Sequence, residues 1–198
     1  MDKPYVVSGD IHLLVNDWAR RKGFTRVPDW VFKGMRAEFL GWMCQMFKGN
    51  VEFVSMDGVI HGLEQLVEDS GLPVISLDGI SFYGTSSLDI TRWVDQIGND
   101  CGLGHRKDVP LDQQLKSLLQ HCPKEVALKD DVIYTGGHVA KVIDLLSCLS
   151  IRVPMVIAGI GIGMGIQRIK DLNVQVRCVR SYAEVIDEVC ERDFYPGV

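Results

Sequence analysis

Paired cysteines, long apolar runs and basic clusters are all missing from this sequence, and each absence removes a class of function. The six cysteines, Cys44, Cys101, Cys122, Cys148, Cys178 and Cys190, include no CxxC pair. Most have apolar neighbours, among which a reduced thiol packs as a small hydrophobe, so neither a zinc site nor a disulfide framework is indicated. No segment has the roughly eighteen unbroken apolar residues that a membrane-spanning helix requires. The opening MDKPYVVSGD lacks the charged and then apolar order of a secretory signal. The formal charge of −5 is spread along the chain, with no basic run to neutralise a nucleic-acid backbone. These absences describe a soluble, cytoplasmic protein that binds neither nucleic acid nor membrane. Any phosphate it takes must be held by a local field of backbone N–H groups, a few cations or a metal ion.

What is present is a chain of 198 residues, 46% hydrophobic with only 7 prolines. That is enough for one well-buried core and too little for two ordinary enzyme domains. The expected organisation is one domain, with a helical N-terminal segment over 1–50 and an α/β core over 51–198. In the first part Ile11, Leu14, Val15 and Trp18 share one helical face, as do Phe32, Met35, Phe39, Trp42, Met43 and Met46, and Gly23 and Gly49 fall where helices should stop. This Met- and Trp-rich stripe is read as a packing face rather than a cofactor pocket.

From Val51 short apolar runs alternate with amphipathic segments. VEFVS, a helix to Ser70 and VISL make one strand, helix, strand unit; EVALK, a helix carrying Val139, Val142, Ile143, Leu146 and Leu149, and VPMVIAGI make a second; GIGMG, a helix and VQVRCVR make a third. Repeated units of this kind predict an α/β fold, a central parallel sheet flanked by helices. Ser181 and Glu184 have capping-box spacing and predict a final helix. Between Asp78 and Pro110 the periodicity fades, LDITRWVDQI reads as either strand or helix, and the stretch is taken as a mobile lid or binding loop.

The segment Val126 to His138, VALKDDVIYTGGH, carries the most chemistry. An apolar strand delivers two adjacent carboxylates, and a small glycine-containing turn then opens into a helix. Gly136 and Gly137 allow close backbone approach, Thr135 offers a hydroxyl, and the N–H groups of the new helix face an incoming phosphate. Asp130 and Asp131 would repel that phosphate and must face something else. Ribose hydroxyls suit them, because an ionised carboxylate accepts two hydrogen bonds from a vicinal diol.

Hydrophobic residues, two acidic residues, a few mainly hydrophobic residues and then TGG: in this pattern the segment resembles the signature of the type I phosphoribosyltransferase family. The resemblance implies that Asp130 and Asp131 bind the ribose 2′ and 3′ hydroxyls, and meet Mg²⁺ indirectly through the ribose, while Tyr134, Thr135, Gly136, Gly137 and His138 cradle the 5′-phosphate. Two positions depart from the pattern. Lys129 stands where a hydrophobic residue is usual, and either supplies a cation beside the diphosphate or is exposed at a strand end. His138 stands where Thr is common, and either donates a ring N–H to the phosphate or excludes it. The family's earlier pyrophosphate-binding turn would correspond to Ser55, Met56, Asp57 and Gly58, although any strand-to-helix turn has that order.

At GIGIGMG, residues Gly159, Gly161, Gly163 and Gly165 follow a strand and precede a helix without satisfying GxGxxG, and either leave room for a flat ring or allow close packing. Arg92, Arg106 and Lys107 are candidate cations for a closing lid, and Phe82, Tyr83 and Trp93 candidate stacking residues. The resemblance implies a phosphoribosyltransferase, of orotate or purine type, that uses Mg²⁺, phosphoribosyl pyrophosphate and a nucleobase or nucleotide, and that forms a homodimer. The alternative is a regulator or sensor of the same fold that binds the ligand without turnover; a nucleotide-binding Rossmann-like protein using Gly159 to Gly165 is a third reading.

Overall fold

In the computed structural model the described residues are 3–78, 86–97, 100–105, 109–121 and 123–194. In chain order the elements are β1 (Tyr5–Gly9), α1 (Ile11–Lys22), α2 (Asp29–Met46), β2 (Val51–Ser55), α3 (Met56–Ser70), β3 (Val74–Ser76), β4 (Ser86–Ser87), β5 (Ile90–Val94), β6 (Asp100–His105), α4 (Leu111–His121), β7 (Glu125–Ile133), α5 (Gly137–Cys148), β8 (Arg152–Ile162), α6 (Gly163–Lys170), β9 (Gln175–Tyr182) and β10 (Asp187–Cys190), followed by a short 3₁₀ turn over Glu191–Phe194. They fall into two compact units, Met1–Ile60 with Ala183–Val198, and His61–Tyr182. Among the described residues no helix is long and apolar enough to cross a membrane.

The larger unit holds a parallel sheet in the order β4-β3-β7-β8-β9, with every neighbouring pair parallel. Parallel strands need crossovers, which α5 supplies between β7 and β8 and α6 between β8 and β9, whereas the first expected unit, β2–α3–β3, joins strands of two different sheets. β7 and β8 are nearly continuous apolar runs, as strands covered on both faces should be. Val126, Leu128, Val156 and Ala158 of the sheet join Val139, Val142 and Leu146 of α5 and Ile169 of α6 in one buried core. Gly62 of α3 lets the helix approach β9, since an added Cβ would lie 2.6 Å from the Val179 side chain.

The smaller unit is built on a three-stranded parallel sheet, β10-β1-β2. This corrects the reading of the first fifty residues as helical, because Tyr5–Gly9 is a buried strand that pairs with β2 on one side and β10 on the other. The run YVVSG is too short to display a helical period, and its β-branched pair Val6 and Val7 fits a sheet. The same pairing overturns the final helix expected from Ser181 and Glu184. Residues 183–198 group with the first sixty, and Asp187 to Cys190 align as a strand on Tyr5 to Ser8. A local capping pattern is outweighed there by a ladder of backbone hydrogen bonds with a distant strand. α1 and α2 are where periodicity puts them, and Gly23 ends α1 in the left-handed conformation at φ 70°.

The α2 stripe is only partly a packing face. Phe32 and Met43 are buried, whereas Trp42 and Met46 are exposed. In the described part of the stretch after Asp78, Ile90–Val94 and Asp100–His105 form an antiparallel hairpin, so the middle of LDITRWVDQI is strand rather than helix.

Candidate functional site

β7 outruns its neighbour β3. Ser76, the last residue of β3, is in register with Lys129, and the Leu77 N–H still reaches the Lys129 carbonyl at 2.8 Å. Beyond that point β7 continues to Ile133 paired with β8, with Asp130 opposite Ala158 and Val132 opposite Ile160. The two carboxylates therefore emerge where one side of the strand has lost its partner. A cavity of about 280 Å³ opens there, lined by Leu77, Ile90, Thr91, Asp130, Asp131, Val132 and His138. Asp130 is buried and Asp131 half-buried. Each turns one oxygen back on the chain: Asp130 Oδ1 accepts from the Asp131 N–H at 3.1 Å, and Asp131 Oδ1 from the Val132 N–H at 2.8 Å. These contacts hold the carboxylates in place.

Tyr134, Thr135 and Gly136 make the turn, and α5 begins at Gly137. Gly136 is the N-cap in the left-handed conformation, φ 71°, with no side-chain cap on the helix. An added Cβ there would lie 2.7 Å from the Gly165 carbonyl oxygen, and one on Gly165 would collide with the Tyr134 carbonyl. The turn before α5 and the turn before α6 thus touch backbone to backbone. This explains part of GIGIGMG: Gly165, like Gly161, which faces the Cys178 sulfur, serves close packing. The Gly137 N–H reaches Thr135 Oγ1 at 3.4 Å, near the limit of a hydrogen bond.

Of the residues singled out in the sequence, Asp130, Asp131 and His138 come together on this cavity, with Tyr134, Thr135, Gly136 and Gly137 forming the adjoining turn. Lys129 is not exposed at a strand end. It is 6% accessible, and burial lowers its pKa from the usual 10.5 against the opposing pull of Glu64 and Asp78. Ser55, Met56, Asp57 and Gly58 belong to the other unit and form no loop, because Ser55 ends β2 and Met56 starts α3 at once. Met56 is buried, and Asp57 Oδ1 lies 3.0 Å from His12 Nε2. Asp57 also lines a second cavity, of about 160 Å³, with His12, Arg26, Asp29, Phe32, Lys33 and Arg36. Its charges are largely matched already, Arg26 by Asp29 at 3.2 Å and Arg36 by the buried Glu191 at 2.8 Å. Phe82, Tyr83, Arg106 and Lys107 lie outside the described residues, while Arg92 and Trp93 are on β5. Among the described residues no group of three or more His, Cys, Asp or Glu side chains could hold a metal ion.

No protein-family model matches the sequence, and no curated protein matches it either. Solved structures do. In fold the chain is similar to phosphoribosyltransferases. An adenine phosphoribosyltransferase from Thermoanaerobacter pseudethanolicus is 14% identical, with a TM-score of 0.40 over 64% of this chain and 80% of that one. An orotate phosphoribosyltransferase from Aeropyrum pernix is 16% identical, with a TM-score of 0.38 over 64% of this chain and 70% of its own. The orotate phosphoribosyltransferase of Mycobacterium tuberculosis H37Rv, solved with inorganic phosphate, is 11% identical, with a TM-score of 0.38 over 63% and 69%.

Several residues of the site carry no signal in the sequence. Leu77, Ile90 and Thr91 line the cavity from β3 and the hairpin, and Arg168 of α6 donates from Nη1 to the Thr135 carbonyl at 3.2 Å. Arg168 is 33 positions from Thr135 and belongs to no motif. The backbone contact of the two glycine turns brings it close.

Proposed function

We propose that the cavity at the end of β7 binds the 5-phosphoribosyl group of phosphoribosyl pyrophosphate, and that the chain transfers this group to a nucleobase with Mg²⁺ and release of pyrophosphate. The observation that carries the reading is the pairing of two opposite chemistries within a few residues. Asp130 and Asp131 present carboxyl oxygens, hydrogen-bond acceptors, to the cavity, and the Thr135 to His138 turn presents N–H donors and the start of a helix. A ribose phosphate has the matching halves, a diol that donates and a dianion that accepts.

In this reading Asp130 and Asp131 orient the sugar through its 2′ and 3′ hydroxyls, and the turn holds the 5′-phosphate. With both ends fixed, C1 has one position in the cavity for the bond to pyrophosphate to break and the bond to a base nitrogen to form. Among the described residues no third acidic, His or Cys side chain joins Asp130 and Asp131 in a group that could hold a metal ion, so these two would meet a Mg²⁺ that comes with the substrate. When bound, Mg²⁺ supplies charge that stabilises the leaving diphosphate. Leu77 and Ile90 give the cavity an apolar wall that keeps water from the reacting sugar.

The test is pyrophosphate release from phosphoribosyl pyrophosphate and Mg²⁺ over a panel of purine and pyrimidine bases. Base-dependent release is expected, and its loss in Asp131→Asn would tie it to this site. Tight binding with no release for any base would replace transfer by a binding role for the same cavity.

A further inference from the structure

We infer that Arg168 is the side chain that selects a phosphate at the β7–α5 turn, so that the site takes a 5-phosphorylated pentose in preference to the free sugar or nucleoside. The inference rests on the ribose-phosphate reading of this turn and goes beyond it by adding a residue from another helix.

Arg168 stands in the last turn of α6, where a cation suits the helix dipole, and its side chain reaches over to the start of α5, where it does not. The first turn of a helix carries partial positive charge, where acidic side chains stabilise and basic ones do not. α5 opens with no acidic residue in its first turn and no capping side chain. Yet the Arg168 guanidinium lies at this end, with Nη1 on the Thr135 carbonyl at 3.2 Å and 3.0 Å from where a Cβ on Gly137 would stand. Arg168 is exposed and, among the described residues, forms no ion pair there. A guanidinium over an uncapped helix start concentrates positive charge that an incoming dianion would offset. The fork of a guanidinium beside backbone N–H donors also matches the oxygens of a phosphate.

Placement is enforced by the backbone. Gly136 and Gly165 leave no room for a Cβ between the two turns, so the start of α6 is seated against the turn, and Arg168 follows one helical turn later. The carboxylates of Asp130 and Asp131 repel a phosphate, while Arg168 attracts it. The ligand is thereby read end to end, with hydroxyls toward β7 and phosphate toward α6.

The test compares ribose 5-phosphate and unphosphorylated ribose as calorimetric probes on the native chain, Arg168→Met and Arg168→Lys, each at low and high salt. Arg168→Met should weaken ribose 5-phosphate by roughly tenfold to a hundredfold, as expected for a charge-assisted hydrogen bond. It should also flatten the salt dependence and leave ribose binding unchanged. Arg168→Lys should recover part of the loss. If Arg168→Met binds ribose 5-phosphate as tightly as the native chain, or loses affinity with its salt dependence intact, the role assigned to Arg168 is wrong while the ribose-phosphate reading stands. If the native chain takes up no ribose 5-phosphate, both fall together.

Discussion

At the end of β7 the chain places Tyr134, Thr135 and Gly136 in a turn before α5 begins, whereas at the end of β2 Ser55 is followed directly by Met56, the first residue of α3. In sequence the two junctions share their ingredients, an apolar strand, aspartate, a hydroxyl residue, glycine and a helix, though the aspartates of the first lie within its strand. Their glycines do different work. Gly136 sits at φ 71° against the Gly165 backbone, while Gly58 is helical with nothing within 4 Å of its would-be Cβ. The carboxylates differ as well: Asp130 and Asp131 line a cavity beside a helix start, and Asp57 meets a histidine on its own unit. Backbone is left over between strand and helix at one junction and not at the other, and the glycines show this only through conformation and contact.

The largest effect that could break this comparison is expected at Gly136. Alanine there must hold a left-handed conformation and also clash with the Gly165 carbonyl, so Gly136→Ala should lose about 1–3 kcal/mol of stability in a denaturant titration and abolish ribose 5-phosphate binding. An unchanged midpoint with full binding would mean that the two turns are not locked together.

A smaller effect is expected at Lys129, whose folded pKa is held below 10.5 by burial. Between that lowered value and 10.5 the unfolded chain binds more protons, so native stability should rise with pH through the window, and below it the cost of the buried charge is present in full. Measured as a difference from Lys129→Met, which cancels the other titrating groups, the stability should climb as pH approaches 10.5. A flat difference would contradict the buried position of the ammonium.

Gly58→Ala should have the smallest effect and the opposite sign, a gain of up to about 1 kcal/mol in helix stability, because α3 asks nothing special of this glycine. Destabilisation at Gly58 would restore a conformational role to the β2–α3 junction and erase the contrast with Gly136.

Much of the larger unit was legible in the sequence. β7, α5, β8, α6 and β9 follow their apolar periods closely, since each is a buried run or an amphipathic helix whose pattern is local. Legibility failed where distant pairing decides structure. Tyr5–Gly9 and Asp187–Cys190 are strands because they pair with each other, and neither segment carries a long enough pattern to say so alone. The cavity wall from Ile90 and Thr91 was hidden in a stretch read as irregular, and Arg168 was hidden because the contact that positions it is backbone to backbone. Lys129 was visible as a departure, but its burial depends on the strands beside it, through Ser76 and Ile157.

The central claim is that Asp130 and Asp131 and the following turn hold a phosphoribosyl group. Calorimetric titration with phosphoribosyl pyrophosphate, with and without Mg²⁺, on the native chain and on Asp131→Asn tests it most directly. The account predicts saturable binding to the native chain that Mg²⁺ strengthens, and a loss of at least about tenfold in Asp131→Asn, because a charged acceptor for a ribose hydroxyl is gone. Absence of heat and of any thermal shift with the native chain, or equal affinity in the two proteins, would contradict it.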